Sequence, residues 1–162
     1  MATVTIAESI TALLVANWNL AAPLAAANIH FDTGWVDRQW IGQSDASPQV
    51  ITSGPMGSSN RFFGKRSAAA AGKLHLLSYG RYVINIWVRI MAGTDGDVEE
   101  DYAELIRNEV VRIINEECIV LPTGVTYLVP LDQGRALHEL DRTPRLHRFE
   151  ITVQANYQGQ GA

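Results

Sequence analysis

Four histidines, one cysteine and a Gly-Lys-Arg-Ser run are the residues of this chain whose types could do chemistry. His30, His75, His138 and His147 never stand four apart, the spacing at which a helix turns two imidazoles toward one metal ion. His138 and His147 flank a turn and can meet across a hairpin with Glu139 or Asp141, either as a metal or acid–base site or as solvated or hydrogen-bonded loop histidines. Cys118 is the only cysteine, which rules out an intrachain disulfide and a cysteine-based zinc site and fits a reducing compartment. A lone cysteine at a helix end is expected to be buried rather than nucleophilic. Gly64-Lys65-Arg66-Ser67 fails as a phosphate loop, because Ser59 stands where the first glycine belongs and Arg66 where a Ser or Thr belongs. No Gly-x-Ser-x-Gly occurs. The expectation is a protein without catalytic, metal-binding or cofactor-binding residues.

The element around which the chain is organised is a helix from Asp97 to Cys118. Val98, Tyr102, Leu105, Ile106, Val110, Ile113 and Ile114 recur at spacings of three and four, which sets them on one face. Asp97 with Glu100 has the form of a capping box, and Glu99 and Asp101 add negative charge where the helix dipole is positive. A second capping box, Thr5 with Glu8, opens a first helix from about Ile6 to Trp18. Pro23 breaks the alanine-rich run that follows into a turn or a short helix.

Strands are read from β-formers and alternation. The stretch from Ile29 to Ile41 reads as one strand or a broken pair, in which Trp35 and Trp40 either stack on a ligand or close a core or subunit contact. Val50 to Ser53 reads as a short strand. Tyr82 to Met91 is the clearest one, with Tyr82, Ile84, Ile86, Val88 and Ile90 toward the core and Val83, Asn85, Trp87 and Arg89 on a mixed face open to a neighbour. Val125 to Leu131 alternates, and Pro130 argues for an edge. Leu146 to Tyr157 reads as a half-buried antiparallel strand, followed by a frayed tail over 158–162. Between Ser53 and Gly80 the glycines, serines and alanines predict a long loop insertion carrying Arg61, Phe62, Phe63, Lys65 and Arg66. Cation-flanked phenylalanines there suit an assembly contact, local folding over the core or nucleic-acid contact. The whole is one α+β domain over 1–162: a mainly antiparallel sheet packed by an N-terminal helix and a long central helix, with that Gly/Ser/Ala-rich loop.

At 162 residues, 47% hydrophobic and 19% charged, the chain can bury a core. The net charge of −4 argues against a general nucleic-acid or membrane surface. No run reaches the ~20 apolar residues of a membrane span, and Glu8, Asn17 and Asn19 interrupt any signal-peptide pattern. The charge is nevertheless uneven. Arg61, Lys65, Arg66, Lys73, Arg81 and Arg89 stand in a stretch without acids, whereas nine acids against Arg107 and Arg112 follow between Asp95 and Glu117. Opposite patches on one subunit suit head-to-tail contact between copies, and the expected pair sets the cationic stretch against Glu99, Asp101, Glu104 and Glu109, with Phe62, Phe63 or Trp87 supplying burial.

In element order and size the chain resembles the tail-terminator or tail-completion proteins of long-tailed bacteriophages. The residues that carry the resemblance are Tyr82-Val83-Ile84-Asn85-Ile86-Trp87-Val88, the helix from Asp97 to Glu117, and Arg148-Phe149-Glu150-Ile151-Thr152-Val153. The resemblance implies a structural virion protein, made in the host cytoplasm, whose hexameric ring caps the tail tube and ends its polymerisation. Its implied partners are further copies of itself, the tail tube protein and a head connector or neck protein, with DNA possible in the lumen and no membrane. The alternatives are a neck or head-completion protein and, in a different class, a small nucleic-acid-binding module using the basic stretch 61–89.

Overall fold

A computed structural model describes residues 5–36, 39, 47–62, 75–117 and 125–160; for 58–62, 75–78, 125–126 and 157–160 the description is of the backbone. Its elements are helix α1 (Ile6–Asn17), a 3-10 turn (Ala26–Asn28), strands β1 (His30–Thr33), β2 (Gln49–Ser53), β3 (Ser58–Phe62) and β4 (His75–Arg89), helix α2 (Asp97–Glu116), and strands β5 (Val125–Pro130), β6 (Arg135–Ala136) and β7 (Leu146–Gln160). The fold is α+β with one mixed sheet: β1 runs parallel to β2, and the other pairings are antiparallel.

The centre of the sheet is the β4–β7 ribbon, paired without a break from His75↔Gln160 to Arg89↔Leu146. This overturns two expectations. The stretch read as a long loop between Ser53 and Gly80 contains β3 and the first third of β4, and residues 158–160 of the supposed frayed tail pair with 75–77. Backbone pairing along a ready-made edge outweighs the weak β-propensity of Ser58-Ser59-Asn60, a context effect that composition does not reveal. Residues 63–74 lie outside the described residues. Gly54 is the hinge that lets β2 and β3 lie end to end on the same edge of β4. Its φ is +135°, and a Cβ there would come within 2.9 Å of the Tyr82 ring and 3.0 Å of the Arg81 carbonyl.

One face of the sheet carries the helices. Ile10, Leu13 and Leu14 of α1 and Ala103, Ile106, Val110, Ile113 and Ile114 of α2 pack with Ile84, Ile86, Val88, Phe149, Ile151 and Val153. The Thr5–Glu8 capping box is present, with Glu8 accepting the Thr5 N–H at 2.6 Å and Thr5 Oγ1 accepting the Glu8 N–H at 3.2 Å. At α2 the expected box does not form, because the helix is capped by Gly96 in the left-handed region (φ +91°) and Asp97 is already its first residue. The apolar stripe is also turned from the expected one. Val98 and Leu105 are 57% and 48% exposed, since they stand roughly a quarter-turn from the buried stripe, while Ala103 is fully buried. In β5 the register shifts between Val125 and Tyr127, so that Leu128 is buried and Tyr127 exposed, opposite to simple alternation. Pro130 does close an edge strand, as expected.

Ile106→Ala and Ile113→Ala are each expected to cost about 2–5 kcal/mol, whereas Leu105→Ala should change stability by less than about 0.5 kcal/mol. Urea unfolding followed by circular dichroism measures all three, and equal losses at positions 105 and 106 would contradict the burial described here.

Candidate assembly interface

The residues singled out in the sequence fall into three groups: the acidic and the cationic and aromatic ones expected to make subunit contacts, and the histidine pair read as a metal or acid–base site or as loop histidines. In the acidic group, Asp101 and Glu104 are exposed on α2, but Glu99 and Glu109 are 8% and 6% exposed and are occupied inside the subunit. Glu99 accepts the Met91 N–H at 3.1 Å, tying the first turn of α2 to the end of β4. Glu109 accepts the Asn19 N–H at 2.7 Å and both the Arg112 Nε and Nη2 donors at 2.9 and 2.7 Å. Arg112 in turn donates to the Asn17 carbonyl at 2.9 Å, one of the carbonyls that the end of α1 leaves without a helical partner, and pairs with Glu116. Arg112 first, and then the Asn19 N–H, hold the Glu109 carboxyl below its ordinary range against the opposing cost of burial. Glu99 and Glu109 are therefore intrasubunit braces and not part of an outer acidic face. A sequence pattern that counts turns places them within a residue of the surface stripe, too close to decide.

In the cationic and aromatic group, Arg61 and Phe62 lie in β3, with backbones opposite Leu77 and Leu76. Phe63, Lys65, Arg66 and Lys73 lie outside the described residues, as do Trp40, Ile41 and Cys118. Trp87 is 3% exposed in the single chain, so it has little surface left to offer a neighbour. Its cover is the Arg148 guanidinium, 4.4 Å from the ring centroid, and Trp35, edge-on at 6.1 Å. Arg148 sits directly opposite Trp87 in the ribbon, donates to Asn85 Oδ1 at 2.8 Å and lies 3.3 Å from Glu150. Trp35, 54% exposed, is the outer member of this stack. Beside it opens a cleft of about 310 Å3 lined by Val36, Glu139, Pro144 and Leu146. Sequence alternation put Trp87 and Arg148 on the non-core faces of their strands, but only the register brings them together.

The histidine pair forms the third group. His147 and His138 approach through their Nδ1 atoms at 3.4 Å, His147 Nε2 lies 3.1 Å from the Gly96 carbonyl, and His138 Nδ1 accepts the Arg148 N–H at 3.2 Å. Burial, and then the neighbouring His147, lower the His138 pKa, with Glu100 and Glu104 opposing. The pair thus locks the β6–β7 connection to the start of α2. Among the described residues no group of three or more His, Cys, Asp or Glu is placed to hold a metal ion.

What remains for a partner on α2 is a mixed surface. Val98, Asp101 and Leu105 lie three and four apart on its exposed side, next to Glu104, and Met91 is 57% exposed near its start.

No family model and no curated protein matches the sequence. Solved structures do. The sheath/tube terminator of an extracellular contractile injection system, in its extended state, superposes with a TM-score of 0.56 at 14% identity, over 100% of this chain and 58% of the terminator. A chain from the virion of a native gene transfer agent particle superposes with a TM-score of 0.52 at 14% identity, over 97% of this chain and 100% of its own length. This chain therefore spans little more than half of the terminator, and at such identity the likeness is one of fold. Both neighbours are parts of tail- or virion-type particles, in agreement with the resemblance seen in the sequence. Among the described residues no helix is long and apolar enough to cross a membrane.

Two variants separate the brace from the surface. Glu109→Gln is expected to lower stability by about 1–3 kcal/mol at neutral pH. Because the folded carboxyl titrates below its ordinary 4.5, its contribution is complete above that pH and fades as the pH falls through the folded value, so Glu109→Gln should flatten the acid limb of the stability profile. Asp101→Lys with Glu104→Lys should leave the urea midpoint unchanged and slow assembly; a large loss of stability in this pair would contradict their assignment to the surface.

Proposed function

We propose that this chain is a tail-terminator subunit: copies form a ring, six in number, that sits on the finished tail tube, ends its polymerisation and presents a surface to the head connector. The observation that supports the reading is the superposition of the whole chain on a little more than half of a sheath/tube terminator. The agreement of element order supports it further, since the strand, long helix and closing strand that suggested the family from sequence are β4, α2 and β7, the three longest elements of the fold. The role is structural. It needs no catalysis and no cofactor; the histidine pair, read from the sequence as a metal or acid–base site or as loop histidines, has bonding partners within the subunit, as has Glu109 in Arg112.

The reading also fits the surface. A ring subunit needs two unlike faces that fit each other, and the exposed Val98–Asp101–Leu105 side of α2 combines apolar area with negative charge. The role is tested by adding the purified chain to polymerising tube protein from the same particle and measuring tube lengths by electron microscopy. Growth should stop on addition, with the chain at a tube end. Tubes that keep lengthening, with the chain absent from their ends, would overturn the proposal.

A further inference from the structure

At the end of the sheet that carries β3 and β5, four strands lie side by side in the order β3–β4–β7–β5. The registers make this explicit: Ser59 is opposite Tyr79, Tyr79 opposite Asn156, and Asn156 opposite Tyr127, so Ser59 and Tyr127 occupy one row at the two margins. Among the described residues, β3 pairs with β4 alone and β5 with β7 alone. Among the described residues the same end of the sheet therefore has two open edges, of five and six residues, on opposite sides.

Three antiparallel pairings separate those edges, so β3 and β5 run in opposite directions. A second copy shifted across the width of the sheet would bring its β5 beside the first copy's β3, antiparallel and at the same level. Every pairing in the extended run would then be of the same kind. The β5 edge also lacks a charged guard. Val125-Thr126-Tyr127-Leu128-Val129 carries no charge, and Pro130 blocks only its last position. At the opposite side of the sheet β1, by contrast, is marked by Asp32, which is exposed.

We infer that β5 of one copy adds to β3 of the next, so that neighbouring subunits share a continuous antiparallel sheet. The contact is heterologous, because two different edges meet, and repetition about an axis closes it into a ring. This inference rests on the ring reading above and supplies the contact it requires.

The test uses the full chain with Cys118→Ser, Ser59→Cys and Tyr127→Cys, oxidised under conditions of assembly and run without reductant. Within one copy the two positions are three strand spacings apart, roughly 14 Å, beyond the ~7 Å reach of a disulfide, so a bond between them joins two copies. The expected result is a covalent ladder ending at the ring size. Mixing the two single-cysteine variants should give the mixed dimer in excess over either like pair. Hydrogen exchange of the unsubstituted chain provides the second reading, with amides of 58–62 and 125–129 gaining protection on assembly. An assembly of ring mass with neither the ladder nor the protection would overturn the shared sheet and leave the ring standing. A chain that remains monomeric would overturn both.

Discussion

Everything in this fold depends on the pairing of β4 with β7. The two strands are fifteen residues each and meet in continuous register over their whole length. One margin of this ribbon receives β2 and β3 end to end; the other receives β5, β6 and the isolated bridge of Glu139 with Leu146. Its apolar face receives both helices, and its second face receives the Trp35–Arg148–Trp87 stack. A one-residue slip of β7 against β4 would turn Ile151 and Val153 out of the core and Arg148 and Glu150 into it. The register is therefore specified from both faces at once.

Much of that was legible in the sequence, for a physical reason. The buried positions of α1 and of the centre of β7 follow their periods because each has one face in the core, and the Thr5–Glu8 box is a local bonding pattern that needs no tertiary partner. β4 instead is buried on both faces from Tyr82 to Val88, so the face of Val83, Asn85 and Trp87 that alternation left open to a neighbour is covered within the subunit. Where tertiary context decided, the sequence was silent. Ser58-Ser59-Asn60 becomes a strand only because β4 offers it an edge, and Gly96 replaces Asp97 at the cap because the backbone turn there demands a left-handed residue. There a Cβ would also lie 3.1 Å from Ile90 and 3.3 Å from His147 Nε2. The extra residue in β5 reverses its alternation without any mark in the side-chain pattern.

The candidate contacts were legible to a smaller degree. Charge along the chain separated cationic from acidic stretches, but it could not tell a carboxylate that faces water from one that closes a hydrogen-bonding gap. Glu109 is held because the end of α1 leaves a carbonyl and an N–H that need partners, and the Glu109–Arg112 pair supplies both. Asp101 and Glu104 have no such task, and with Val98 and Leu105 they form the side of α2 that faces outward. Trp87, which looked like an anchor for a neighbour, is an anchor for Arg148 within its own sheet.

The proposed ring would close through unlike surfaces of a subunit with this fold. Native mass spectrometry of the purified chain addresses it most directly. A single dominant species at six times the 17.8 kDa subunit, about 107 kDa, is the expected result, with no even-only ladder of dimers. A dimer as the end state, or a monomer alone at concentrations that support tube assembly, would contradict it.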